Sequence, residues 1–260
     1  MKPSARPLDG IGVVVTRPAR QAGAFAQKLG VLGARPLILP AIIILPPDDT
    51  TALARAHAAL AECVAAVFVS ANAAEYGVPH TPWPRGVHAV APGPGTASAL
   101  TDLGVPDVQF PPLRHDSEGM LALPALADIE GQRVLVFRGD GGRDLLAERL
   151  RARGAIVDHV PCYRRAAPAS LTTEAGHTLR GRAHALTLTS SEGASNLCAM
   201  FADASLAWLQ TLPAFAPHPR IAAHARGLGL DAVETASGDA GIIAALLQWF
   251  TEHPIALPIR

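Results

Sequence analysis

The chain has 260 residues, 49% of them hydrophobic and 17% charged, with a formal net charge of zero. That composition is enough for one large or two ordinary buried cores, and it excludes the broad basic field that nucleic acid or an anionic membrane requires of a partner. Three widely spaced cysteines, Cys63, Cys162 and Cys198, give no disulfide framework and no CxxC metal pair, and they read as reduced thiols in a cytoplasmic protein.

The N-terminal MKPSARPLDG has no apolar signal core. Next comes Val13–Pro40, an apolar strand ending in Thr16-Arg17, a turn, an amphipathic helix, a glycine stop at Gly33 and a second apolar strand. Pro36–Pro47 (PLILPAIIILPP) is apolar but punctuated by prolines and too short to span a membrane. Val67–Asn72 (VFVSAN) reads as a buried strand ending in small polar residues. His88–Leu103 reads as strand, glycine-rich turn and helix start, and Asp116–Leu121 (DSEGML) as a polar turn opening a helix.

The pattern then repeats. Val134–Pro161 aligns without a gap on Val13–Pro40, placing Arg138 on Arg17, Leu150 on Leu29, Gly154 on Gly33 and Pro161 on Pro40. The apolar face of its helix is expected to comprise Leu145, Leu146, the Arg149 stem and Leu150. His159–Pro168 is a second proline-punctuated extended segment, carrying Tyr163, Arg164 and Arg165. Thr187–Glu192 (TLTSSE) matches Val67–Asn72, and Gly238–Ile243 matches Asp116–Leu121. Ile221–Leu228 is expected to answer His88–Leu103 in a form about nine residues shorter. Strands and helices alternate, and the strands are nearly continuous apolar runs. The expected class is therefore α/β, doubly wound, with parallel sheets covered on both faces.

Several chemistries lack their signatures. Gly139-Asp140-Gly141-Gly142-Arg143 has neither the spacing nor the lysine of a phosphate loop. The ten histidines form no HxH or HExxH pair, so no metal is expected. No GxSxG elbow is present.

The stretches VVVTRP, FVSANA, VAPGPGTASAL, DSEGMLAL, VLVFRGDGGRDLLAERLRARGAIVDHVPCYRR and LTSSEGASNL, in this order and spacing, resemble the uroporphyrinogen-III synthase family over nearly the whole chain. The resemblance implies two flavodoxin-like doubly wound lobes joined by two extended crossover strands, with the active site in the cleft between them. It sets one discontinuous lobe at 1–40 plus 166–260 and the other at 45–162. It implies cyclisation of hydroxymethylbilane, a linear tetrapyrrole polycarboxylate, to uroporphyrinogen III with inversion of the last pyrrole through a spiro intermediate. It implies no cofactor, a cytoplasmic monomer, a small-molecule substrate and transient contact with the preceding pathway enzyme. Family members usually carry a Gly-x-x-Thr-Ala turn in each lobe. The first is Gly93–Ala97; the second is expected to be reduced to Ala223–Gly227, so that the work of its threonine is either absent or done by His224 or Arg226.

Tyr163 matches a tyrosine implicated in the family's catalysis and is the candidate general acid. Open α/β sheets bind ligands beyond the carboxyl ends of their strands. This points to Arg17, Ser70, Asn72, Gly93, Thr96, Ser117, Arg138, Arg143, Ser190 and Ser191 as candidate substrate-binding residues. Ser70, Thr96, Ser117 and Ser190 also suit helix N-caps. Arg17 and Arg138 suit either a bidentate carboxylate clamp or a structural ion pair. The competing function is a non-catalytic two-lobed small-molecule binding protein, since the fold alone does not choose between the two.

Overall fold

A computed structural model describes residues 6–141, 145–171, 173–201 and 206–255. In chain order the elements are β1 (Gly12–Val15), α1 (Ala19–Val31), β2 (Arg35–Ile38), β3 (Ile43–Leu45), α2 (Thr51–Ala59), β4 (Ala65–Phe68), α3 (Ala71–Gly77), β5 (His88–Val90), α4 (Pro94–Asp102) and α5 (Ser117–Leu121). There follow β6 (Arg133–Gly139), α6 (Leu145–Ala152), β7 (Ile156–Ala166), α7 (Thr173–Arg180), β8 (Ala185–Thr187), α8 (Ser191–Met200), α9 (Leu206–Leu209), β9 (Pro213–Ala216), α10 (Pro219–Gly227), β10 (Asp231–Glu234) and α11 (Gly238–Glu252). They gather into two compact units: Met1–Ile43 with Ala166–Arg260, and Ile44–Arg165.

The first unit holds a five-stranded sheet in the order β10-β9-β8-β1-β2. Its pairs are parallel, with Val13 beside both Pro36 and Ala185. Counted along the unit's own chain, the order is 2-1-3-4-5, the flavodoxin-like arrangement. The second unit's sheet runs β3-β7-β6-β4-β5, and a parallel bridge from Val90 to Gln109 extends it beyond β5. With the edge strand β3 set aside, a count that starts at β6 and takes the Gln109 segment as its fifth member gives 2-1-3-4-5 again. The two units are thus built alike, except that the strand–helix–strand element opens the first unit and closes the second. This arrangement explains the gapless repeat, because β1-α1-β2 and β6-α6-β7 occupy equivalent places.

Apolar strands are covered on both faces because each face has its own core. In the first unit Val13 and Val15 pack under α1 and α11 with Phe25, Leu29 and Ile242, while Val14 packs with Leu186, Leu197 and Ile221. In the second, Leu135 and Phe137 face Phe68 and Leu100, while Val134 and Val136 face Leu126, Leu146 and Leu150. Helix α1 buries Ala22, Phe25 and Leu29, a stripe at three- and four-residue steps. Each large side chain so buried contributes about 1.5–3 kcal/mol. The chain leaves α1 and α6 through Gly33 and Gly154, both left-handed at φ +92 and +84, a conformation that disfavours a Cβ. The expected face of α6 shifts by one position. Leu146, Ala147 and Leu150 are buried, whereas Leu145 is exposed.

One expectation is overturned. The counterpart of β5 and its turn is not a shortened Ile221–Leu228 but the full-length β9 and its turn. Strand β9 spans Pro213–Ala216, and α10 starts at Pro219 with His218 as N-cap, just as α4 starts at Pro94 with Gly93 as N-cap. Position for position, Gly93-Pro94-Gly95-Thr96-Ala97 corresponds to His218-Pro219-Arg220-Ile221-Ala222. His224 and Arg226 lie in the later turns of α10 and have no part in the turn. The sequence match failed because PAFAPHP carries no glycine to mark it. A Cβ on Gly93 would meet the His115 ring at 3.0 Å, so glycine makes room there. At the equivalent place His218 instead caps its helix, its Nδ1 accepting from Arg220 N at 3.1 Å.

Candidate active site

The carboxyl ends of β4, β5 and β6 open on a pocket of about 380 Å³ within the second unit. Its location at the reversal of strand order between β4 and β6 is where α/β sheets of this kind bind ligands. Tyr163, Arg138, His159, Arg165, His115 and Asp116 are among the side chains that line it.

Tyr163 reaches the pocket through a fault in its strand. The β6–β7 ladder pairs Arg138 with Pro161 and then Gly139 with Tyr163, so Cys162 is the extra residue of a bulge. Pro161 has no N–H to continue the ladder, which accounts for the slip at this point. Cys162 and Tyr163 are consequently both buried, whereas neighbours on a regular strand would point to opposite faces. The phenol is 3% exposed, and its Oη lies 3.3 Å from Ser70 Oγ. Ser70 caps α3, accepting from Ala73 N, so one hydroxyl both orders the helix and faces the phenol. Tyr76 sits across from Tyr163 with ring centroids 6.3 Å apart and donates to Ile44 O. Burial pushes the Cys162 thiol up to about 12, so it stays protonated and unreactive.

Arg138 is held from two sides. Nη1 lies 3.3 Å from His159 Nδ1, and Nη2 donates to Gly141 O at 2.6 Å. His115 and Arg165 add donors around the same pocket. Asp116 caps α5 by accepting from Gly119 N at 2.8 Å; that bond and Arg114 hold its carboxyl below the usual range.

The expected residues fall into three groups. Ser117, Arg138 and Tyr163 line the pocket, and Ser70 adjoins it through Tyr163. Asn72 is buried in α3, and Gly93 and Thr96 open α4, at the same end of the sheet. Arg143 lies outside the described residues. Of the expected caps, Ser70 and Ser190 cap α3 and α8 through their side chains. Ser117 and Thr96 do not: the caps are Asp116 and Gly93. Arg165, named beside Tyr163 in the sequence, also lines the pocket, as do His115, Asp116, Asp140 and His159, which were not among the candidate site residues. Arg165 was legible, because it follows Tyr163 at the two-residue period of a strand.

The first unit presents its own polar ends. Thr16 Oγ1 donates to Thr187 O at 2.6 Å and Thr187 Oγ1 to Val14 O at 3.0 Å, locking β1 to β8. Ser190 accepts from Gly193 N at the start of α8, and Ser191 is that helix's first residue. Arg17 is engaged in an ion pair. Its Nη2 bonds Asp239 Oδ1 at 2.6 Å, its guanidinium lies 4.4 Å from the Phe25 ring centroid, and Lys28 takes the other carboxylate oxygen at 2.7 Å. Burial acts to raise the Asp239 carboxyl, but Lys28 and Arg17 outweigh it, and the net direction is down.

A family model described as "Uroporphyrinogen-III synthase HemD" matches residues 23–240. The chain belongs to the uroporphyrinogen-III synthase family. The uroporphyrinogen-III synthase of Salmonella typhimurium is 34% identical over 162 residues, covering 60% of this chain and 66% of that one. That of Synechococcus elongatus is 32% identical over 207 residues, covering 76% and 77%. The fold agrees: the Helicobacter pylori uroporphyrinogen-III synthetase superposes with a TM-score of 0.59 at 16% identity over 92% of this chain and 99% of that one. A Thermus thermophilus uroporphyrinogen III synthase mutant superposes with a TM-score of 0.51 at 18% identity over 93% and 99%. Among the described residues no helix is long and apolar enough to cross a membrane.

Proposed function

We propose that the chain catalyses the uroporphyrinogen-III synthase reaction, closing hydroxymethylbilane with loss of one water and inversion of the last pyrrole. The observation that carries the chemical part is the buried Tyr163 phenol, bonded to Ser70 and opening on a pocket beside Arg138. Tyr163 protonates the departing hydroxyl, directly or through a relaying water, and as the C–O bond breaks the protonated hydroxyl leaves as the one water lost. The electrophile so formed is attacked by the substituted carbon of the far pyrrole. The resulting spiro intermediate fragments and recloses with the ring turned over, and the proton lost from the newly bonded pyrrole carbon as the ring rearomatises restores the Tyr163 phenol. A general acid contributes about 10²–10⁴-fold; the remaining demand is to hold the chain so that the uninverted closure is out of reach.

A volume of about 380 Å³ is at the small end of the usual range for ligand sites. It suits a terminal pyrrole with its two acidic side chains rather than the whole tetrapyrrole. Arg138, with Arg165 beside it, supplies the charge those carboxylates need. Ser117, Gly93, Thr96 and Asn72 are proposed as further contacts, as are Ser190 and Ser191 of the first unit, which offer hydroxyls and helix N–H groups. We extend the proposal to a cytoplasmic monomer whose two units act as lobes; three buried free cysteines agree with a reducing compartment.

The test is turnover of enzymatically generated hydroxymethylbilane, followed by isomer analysis of the oxidised product. The type III isomer is expected, at a rate unchanged by dialysis against chelator. Type I product alone, at the rate of spontaneous closure, overturns the proposal.

A further inference from the structure

We infer that Gly139 is a positioning residue for Tyr163, an assignment that rests on the phenol acting as proposed. Gly139 is the last residue of β6 and pairs with Tyr163 across the bulge. Its backbone is outside the left-handed region, so no turn demands a glycine here. Space demands it. A Cβ built on Gly139 would lie 2.7 Å from both Cε2 and Cζ of the Tyr163 ring and 3.1 Å from its Oη. These are the end of the ring that carries the hydroxyl. The ring therefore rests flush on the Gly139 backbone.

The residues that follow complete the seat. Asp140 N donates to Tyr163 O at 3.0 Å, fixing the main chain of the tyrosine against the loop. Gly141, left-handed at φ +69, turns the chain so that its carbonyl receives Arg138 at 2.6 Å. One short loop thus sets the height of the phenol and the direction of the guanidinium. The ring has little room to yield to an added methyl, because it is 3% exposed and packed in the buried cluster that holds Phe137, with Tyr76 against it. It must instead swing, and the swing draws Oη away from Ser70. Groups that act on a reacting atom tolerate displacements of about 1 Å poorly. A methyl at position 139 is therefore a lesion in proton transfer, not in substrate binding.

The experiment is a double-mutant cycle on turnover with Gly139→Ala and Tyr163→Phe. Gly139→Ala is expected to lower kcat at least ~10-fold, within the range of a general acid, with KM changed less than ~3-fold. In the Tyr163→Phe background, where no hydroxyl remains to be misplaced, the same alanine is expected to lower kcat less than ~2-fold. Thermal melts of Gly139→Ala alone and with Tyr163→Leu provide a readout that survives poor folding: relief of the clash makes the alanine less destabilising beside leucine. If Tyr163→Phe alone keeps wild-type turnover, the reading of the phenol falls and this assignment falls with it. If Tyr163→Phe is slow but the alanine costs the same factor in both backgrounds, or costs nothing in either, only the assignment of Gly139 is overturned. An alanine equally destabilising beside tyrosine and leucine overturns it as well.

Discussion

Replacing Asp239 by asparagine decides what Arg17 is for. The carboxylate receives Arg17 at 2.6 Å and Lys28 at 2.7 Å, and the Arg17 and Asp239 side chains are 17% and 24% exposed. A charge-assisted bond in such surroundings is worth about 1.5–3 kcal/mol, while the bond to half-exposed Lys28 adds no more than about 1 kcal/mol. The amide keeps one acceptor, so Asp239→Asn is expected to cost about 1–3 kcal/mol and Lys28→Ala less than about 1 kcal/mol. For a unit of this size that is roughly 2–4 °C of melting temperature per kcal/mol. The folded carboxyl lies below its ordinary value, so the stabilisation is present above that value and is lost as pH falls through the folded one. The gap between wild type and Asp239→Asn in urea titrations should therefore be widest near neutrality and close in acid. Arg17→Met should lower stability by a similar amount, by less in the Asp239→Asn background, and leave KM unchanged. A tenfold rise in KM on Arg17→Met, with stability intact, refutes the structural assignment and returns Arg17 to the substrate.

Three further outcomes are expected. Gly12 N donates to His184 Nδ1 at 2.8 Å, which requires a neutral ring, and burial together with Arg35 holds that histidine below its usual value. Its contribution is complete above the unfolded value and lost as pH falls through the folded one, so His184→Asn should flatten the stability profile on that side of pH 6.5, measured by denaturant midpoint. Thr96→Ala should lower turnover more than His218→Ala, because the second turn has isoleucine where the first has threonine; equal losses would give His218 a comparable role. A fragment spanning residues 44–165, which contains every strand of the second sheet except the first residue of β3 and the last of β7, should melt cooperatively by circular dichroism; a non-cooperative melt would mean that the unit depends on the rest of the chain.

Much of the fold was legible because the repeat carries its own punctuation. Gly33 and Gly154 end equivalent helices, Ser70 and Ser190 begin equivalent ones, and the apolar strands alternating with them argue for a parallel sheet. Where punctuation is absent the reading slipped: β9 ends in Ala216-Pro217-His218, and nothing in those residues advertises a turn that glycine makes elsewhere. The position of Tyr163 in an extended segment was also readable. Its burial was not, because the bulge at Cys162 depends on which strand Pro161 faces. Likewise His159 holds Arg138 through adjacent strands 21 residues apart in sequence, a pairing that no local pattern encodes.

The second unit is an uninterrupted length of chain set into the middle of the first, and this orders events at the ribosome. Strand β1 is finished first but pairs with β8, and the contact from Gly12 to His184 joins residues 172 positions apart. At a synthesis rate of roughly 5–20 residues per second, that separation is a wait of about 9–35 s. Throughout it Val13, Val14 and Val15 have only β2 beside them, while β4 meets β6 after about two-fifths of that length of chain. The nascent protein therefore completes its later-starting unit first and carries an unfinished sheet edge while it does so. The opposite edge of the β1–β2 pair is β2 itself, where the missing N–H of Pro36 removes one of the places another chain could pair.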